Sequence, residues 1–439
     1  MKKVLIVSPH FPPVNAPDMQ RTRTVLPYLE LHGWEATVLA IRPDRVEGAV
    51  IDELLLKTIP ASIRVVRVGG LKARWTRLAG FGNLWFRCGR ALAAAGDRLL
   101  QTESFDLVFF STTQFGFFRL GPRWRRRFGV PYVLDYQDPW ISPYYRENKV
   151  RPPGGYAKFA LSQWTARRME PDVLRNASGV VTVSAAYGTI LQREYPWFQP
   201  EKLLLLPFGV AETDFAVLGD HRPAQPLIAF GDGNFHYVYA GRCGPDMRIA
   251  LTSLFRAFKG YMTRNPGQAA KVRFHFIGTD YAPPPLGRDW ALPIAREESV
   301  TEFVSEHRYR VPYFDALYYL KNADALLGIG SNDPTYSASK FFPYLLARRP
   351  FLFIFHENSP VIAFAKKLGI TSFFTFRTAA DIPTLAEALE EHWFLNHSWT
   401  QLPTLDLETF RPYTAQLLTA KLAEAFDRAS EGPPPPANG

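Results

Sequence analysis

Cysteine is nearly absent from this chain, with two residues, Cys88 and Cys243, among 439. They lie far apart and match no metal-ligand spacing, so neither a disulfide framework nor a metal centre is expected, and a reducing, cytoplasmic setting is. Long apolar runs are missing too. The opening stretch Val4-Leu5-Ile6-Val7 is cut off by Pro9, Pro12 and Pro13 before it reaches signal-peptide proportions, and nothing later approaches the roughly 20 apolar residues that span a bilayer. Glycine is missing from the loop after that first run, where Asn15-Ala16-Pro17-Asp18 stands. No nucleic-acid-binding module is present, and nucleic acid is not an expected partner.

What is present supports a large core. The chain is 47% hydrophobic and 21% charged, and its length exceeds the roughly 250–300 residues at which one core stops growing, so two domains are expected. Lys and Arg outnumber Asp and Glu by 51 to 41, a balance of +10 that favours anionic partners in general.

Hydrophobic patterning repeats a strand–helix alternation. Strands are expected over 3–8, 35–40, 63–68, 107–111, 132–135, 179–183 and 202–207, with a first helix over 20–32 that Gly33 ends. A linker over 211–234 follows, carrying Gly231-Asp232-Gly233-Asn234. A second series then has strands over 235–240, 272–278, 309–311, 325–329, 351–355 and 371–375, and helices over 247–263, 313–322, 339–348 and 358–368. The expected organisation is an α/β domain over 1–210, the linker, a second α/β domain over 235–410, a C-terminal helix within 411–430, and a Pro-rich disordered tail over 431–439.

Several segments resemble, in order and spacing, the large retaining GT-B class of nucleotide-sugar glycosyltransferases, of the group-1, family-4-like kind. In the first half these are Ser8-Pro9-His10-Phe11-Pro12-Pro13, 129–140 with Asp135-Tyr136-Gln137-Asp138-Pro139-Trp140, and 177–184 followed by Leu206-Pro207-Phe208-Gly209-Val210. In the second half they are Tyr239-Ala240-Gly241-Arg242, Phe276-Ile277-Gly278, 310–316, 323–327 and Tyr336-Ser337-Ala338-Ser339-Lys340. The resemblance implies two Rossmann-like domains facing across a cleft, with a C-terminal helix that could cross back. It implies a nucleoside-diphosphate sugar held mainly by the second domain, a saccharide or lipid-linked acceptor held mainly by the first, and no obligatory metal or other cofactor. The expected activity is sugar transfer in cell-surface polysaccharide or glycolipid synthesis.

Such a transfer leaves negative charge on a departing diphosphate, which fixed cations or backbone N–H dipoles must stabilise. Arg242, at a strand end, and Arg248, six residues on, approximately match the family's pair of cations. Ser337, Ser339 and Lys340 stand where a helix start would offer unpaired N–H groups beside a cation. Glu357 and Tyr336 are further candidates for donor contact. In the first domain, Asp138 and His10 are the candidate catalytic residues, because each follows a strand closely enough to meet an acceptor hydroxyl. One departure stands out. Where many members carry two glutamates eight residues apart, this chain has Thr335 and Pro343, which raises the alternative of a GT-B-shaped protein that binds nucleotide sugars without turnover. Finally, the stretches 72–90 and 123–128 interleave Arg with Trp and Phe, a composition suited to an anionic membrane surface and to peripheral attachment at the inner face of the membrane.

Overall fold

The computed structural model describes residues 1–72, 76, 83–141, 155–282, 285–334, 341–400, 402 and 406–431. Within them the chain forms two units, one of Met1–Gly209 with Ala415–Gly439 and one of Val210–Thr414.

In the first unit the apolar runs become β1 (Lys2–Val7), β2 (Trp34–Ile41), β3 (Arg64–Val68), β4 (Leu107–Ser111), β5 (Tyr132–Tyr136), β6 (Gly179–Thr182) and β7 (Leu203–Leu205). They pair in parallel in the order β3-β2-β1-β4-β5-β6-β7. The connections carry α1 (Gln20–Leu29), α2 (Leu84–Thr102), α3 (Leu120–Phe128), α4 (Tyr156–Arg175) and α5 (Ala185–Glu194). Gly33, at φ 79°, takes the left-handed position that closes the turn after α1. Because side chains alternate across a strand, Leu5 and Val7 join the core beneath α2 and α3, while Val4 and Ile6 enter the opposite one with Val25 and Leu26 of α1. A strand buried on both faces must be apolar throughout, hence the continuous Val4–Val7 run.

The second unit repeats the plan. Its strands β8 (Phe235–Ala240), β9 (Val272–Ile277), β10 (Val304–His307), β11 (Ala325–Ile329), β12 (Phe351–His356) and β13 (Phe373–Phe376) lie parallel in the order β10-β9-β8-β11-β12-β13. Helices α6 (Glu212–Leu218), α7 (Arg248–Arg264), α8 (Ala291–Glu297), α9 (Tyr313–Asn322), α10 (Phe341–Leu346), α11 (Pro360–Lys367) and α12 (Ile382–Leu389) accompany them. Tyr237, Tyr239, Phe274 and Phe276 pack with Leu254, Phe255 and Phe258 of α7 and with Trp393. Much of the chain's aromatic content is therefore core. The last helix, α13 (Ala415–Ser430), belongs to the first unit: Leu418, Leu422 and Phe426 enter the α1-side core, and Lys2 bonds Asp427 at 3.0 Å.

Two expectations are corrected. The edge strand of the second sheet is Val304–His307, not 309–311. Pro312 lacks an N–H for a ladder and instead stands as the residue before α9, while Glu306 in the true strand accepts backbone N–H bonds from Trp290, Ala291 and Leu292, all at 2.9 Å, at the start of α8. The 211–234 stretch is more than a tether. It carries α6, whose Asp214 accepts a hydrogen bond from Tyr313 Oη at 2.6 Å. Of the tail over 431–439, only Glu431 lies within the described residues.

One buried group titrates near neutrality. Glu170 of α4 is 1% exposed and accepts hydrogen bonds from Tyr136 Oη at 3.0 Å and Tyr195 Oη at 2.8 Å. Burial outweighs both bonds and pushes its carboxyl up to about 7. A folded value above the ordinary carboxylate range favours the neutral form, so this residue's contribution is fully present below about pH 4.5 and is lost as the pH rises through 7. Glu170→Gln is therefore expected to be more stable than the parent at pH 8, by on the order of 3 kcal/mol, and nearly equal to it at pH 4.5. Denaturation midpoints at the two pH values measure this, and an equal difference at both would show that Glu170 is not the titrating group.

Candidate functional site

In an open parallel sheet, ligands meet the carboxyl ends of the strands where the strand order reverses. In the first unit that point lies between β1 and β4. His10 follows β1, and its Nδ1 lies 2.8 Å from Asp18 Oδ1. Asp18 sits in the 3-10 turn before α1, 3% exposed, and its second oxygen accepts from Thr112 Oγ1 at 2.9 Å and from the Thr113 amide at 3.2 Å, just past β4. Burial opposes the charge on Asp18, but the His10 imidazole and these hydrogen bonds prevail and hold its carboxyl below the ordinary value. With Asp18 ionised, a neutral His10 donates from Nδ1 and keeps an unprotonated Nε2.

Asp138 follows β5. It is exposed, yet crowded enough by surrounding chain that its carboxyl is pushed up to about 6, first by lost solvation and second by the charge of Asp18. Asp135, three residues earlier, is a different kind of group. It is fully buried, and Arg21 Nε lies 3.0 and 2.9 Å from its two oxygens, with Ser111 Oγ at 2.9 Å and Gln137 Nε2 at 2.8 Å. Arg21 also donates to Leu206 O at 2.6 Å, and Gln137 Nε2 to Asp18 O at 3.0 Å. One buried network thus ties the ends of β4, β5 and β7 to the turn that holds Asp18.

The reversal point of the second unit lies between β8 and β11. Gly241, at φ 142°, follows β8, and Arg242 comes next. The Arg242 guanidinium binds Asp246 in the two-pronged manner, Nη1 to Oδ1 at 2.9 Å and Nη2 to Oδ2 at 2.8 Å. Gly244 leaves room for that pair, because a Cβ there would displace Arg242 Nη1 and Asp246 Oδ1. The Asn332 amide donates to Asp246 O at 2.8 Å and brings the segment after β11 against the same loop. Arg248, the first residue of α7, lies exposed and pairs with Glu297 of α8. Glu357, directly after β12, pairs with Arg377 after β13 at 2.5 Å, and this raises the Arg377 value further.

The structure therefore gathers His10 and Asp138 around Asp18 at one sheet and sets Arg242 at the other. Arg248 and Glu357 each face a partner of opposite charge. Tyr336, Ser337, Ser339 and Lys340, with Thr335, lie outside the described residues, whereas Pro343 is the third residue of α10. Asp18, Arg21, Thr112 and Asp246 were not singled out in the sequence, although Asp18, eight residues after His10 in a loop, and Asp246, four after Arg242, stood within reach of the residues they hold.

One of the two basic-aromatic stretches, 123–128, is partly core. Trp124 is fully buried, Arg123 and Arg127 both bind Asp97, and Arg125 donates to Asn176 O at 2.7 Å. Within 72–90, residues 73–75 and 77–82 lie outside the described residues, and Trp85 packs edge-on against Phe117 at 5.2 Å. Among the described residues no set of His, Cys, Asp and Glu is placed to hold a metal, and no helix is long and apolar enough to cross a membrane.

Residues 20–209 match the family model of the glycosyl transferase 4-like domain. No curated protein matches the chain in sequence. In fold it is similar to an α,α-trehalose-phosphate synthase (UDP-forming) from Burkholderia xenovorans, solved with glucose-6-phosphate, at a TM-score of 0.60 and 11% identity over 97% of this chain and 100% of that one. HepE of Anabaena, solved with UDP and glucose, superposes at 0.58 with 12% identity over 97% and 100%. The N-terminal domain of the trehalose-6-phosphate phosphatase of Candida albicans gives 0.58 and 13% over 98% and 97%. The two parallel α/β sheets are those of the GT-B fold.

Proposed function

We propose that this chain, which has the GT-B fold and matches the glycosyl transferase 4-like domain over residues 20–209, moves a sugar from a nucleoside diphosphate to a hydroxyl of a saccharide or lipid-linked acceptor. The observation that carries the reading is the group formed by His10, Asp18 and Asp138 at the carboxyl ends of the first sheet. There an acceptor hydroxyl would lose its proton to His10 Nε2 or to the Asp138 carboxylate as its oxygen bonds the sugar's anomeric carbon. The bond from that carbon to the diphosphate breaks, and the bonding electrons leave with the phosphate. Arg242 would meet that charge already oriented by Asp246, so little reorganisation is needed at the moment of transfer. Arg248, Ser337, Ser339 and Lys340 are assigned to the same proposed diphosphate site, and Glu357 and Tyr336 are proposed donor contacts. The transfer is proposed to retain anomeric configuration, to need no metal and to serve cell-surface polysaccharide or glycolipid synthesis.

Titration calorimetry with UDP and UDP-glucose, followed by a panel of other nucleotide sugars, tests the donor site. Arg242→Ala is expected to weaken the accepted nucleotide by about 1.5–3 kcal/mol, roughly 10- to 100-fold. Unchanged affinity would remove Arg242 from the site. The second reading, a nucleotide-sugar-binding protein without turnover, draws on Pro343, which stands in α10 where the family resemblance implies a carboxylate. Tight donor binding with neither transfer nor slow donor hydrolysis would favour it.

A further inference from the structure

We propose that the outer face of α4 docks on an anionic membrane surface. This helix buries Gln163, Ala166, Glu170, Val173 and Leu174, and at 100° per residue those positions share one side. The opposite side carries Ala157, Leu161, Trp164, Arg168 and Arg175, all exposed. Leu161 is 62% and Trp164 52% exposed, and Tyr156, 58% exposed, stands at the helix start. Large apolar side chains left so open on a helix that already has a well-filled inner face are not explained by the fold of this unit.

The exposed charge on this side is mostly positive. Arg168 lies over the Trp164 ring with its guanidinium carbon 4.0 Å from the centroid, and Arg175 lies over Trp197 at 4.6 Å. Lys158 adds a further exposed cation, while Arg167 is taken up by Glu194 at 3.1 Å. Of the two carboxylates of α4, Glu170 is buried, while Asp172 is exposed at the border of this side and lies 3.8 Å from Arg126. Apolar and aromatic side chains over the first half of a helix, with arginines over the second, match the headgroup boundary of an anionic bilayer: Leu161 and Trp164 enter the acyl edge and the cations remain among phosphates. The surface is separate from the transfer chemistry and does not depend on it.

Flotation of the full chain with vesicles tests this. The parent protein is expected to float with vesicles of equal phosphatidylglycerol and phosphatidylcholine at low salt, to be released as salt rises, and to stay behind with phosphatidylcholine alone. The pairs Leu161→Ser with Trp164→Ser, and Arg168→Gln with Arg175→Gln, are each expected to lower the bound fraction roughly tenfold while thermal melting and nucleotide binding stay unchanged. A parent that does not float, or variants that float as it does, would overturn the proposal. So would light scattering that finds a parent dimer which the Leu161 and Trp164 changes dissociate, because the face would then belong to a second copy.

Discussion

Replacing Arg21 by Met is expected to cost about 3–5 kcal/mol of folding stability, because it leaves the buried Asp135 charge without the cation that spans both its oxygens. Arg21 is 3% exposed and Asp135 0%, so water cannot take over the lost contacts. Ser111 and Gln137 would still donate to the carboxylate, but two neutral donors do not replace a guanidinium. Asp135→Leu should cost a similar amount by stranding Arg21, and the double variant less than the sum of the two, since neither charge then remains alone. Urea denaturation of the three variants measures the cycle. Strict additivity would mean that the pair does not interact as the geometry requires. The consequence reaches the site, because Gln137 of this network also holds the backbone oxygen of Asp18.

The second large effect concerns rate. His10→Gln and Asp138→Asn are each expected to lower transfer by roughly 10²- to 10⁴-fold with donor affinity unchanged, the range for loss of a positioned proton acceptor. The pH profile separates the two. Asp138 must be ionised to accept a proton, and with its carboxyl at about 6 the rate should climb as the pH rises through 6 and level off above it. Asp138→Asn should abolish that climb. Asp18→Asn should keep the climb but move it to lower pH, because the charge that helps raise the Asp138 carboxyl is gone, and it should lower the rate through His10, whose imidazole loses the partner that keeps Nδ1 protonated and Nε2 open. A profile that keeps its rise in Asp138→Asn would assign the proton to another group.

Legibility followed the range of the interaction. Strands β4, β8 and β11 were read to the residue because each is an apolar run whose burial on both faces is written in its composition. The second sheet's edge strand was misread: Val304–His307 is polar on its outer side, whereas 309–311 sits before a proline and resembles a short strand. The aromatic stretch at 123–128 read as a surface because composition cannot tell a buried Trp124 from an exposed one, while α4, whose open face the structure displays, has a weak sequence pattern with Leu161 and Trp164 outside and Gln163 inside.

By itself the sequence determined two α/β series, their approximate strands and the strand-end positions of His10, Asp138 and Arg242, since hydrophobic period and turn chemistry are properties of neighbours in the chain. The tertiary structure decided which charges these residues meet. Asp18 reaches the Thr112 hydroxyl 94 positions away and Arg21 reaches Asp135 across 114, while α13 packs into the unit where the chain began. Such pairings follow from the order of strands in a sheet, which fixes the side chains that share a carboxyl edge and which no local pattern encodes.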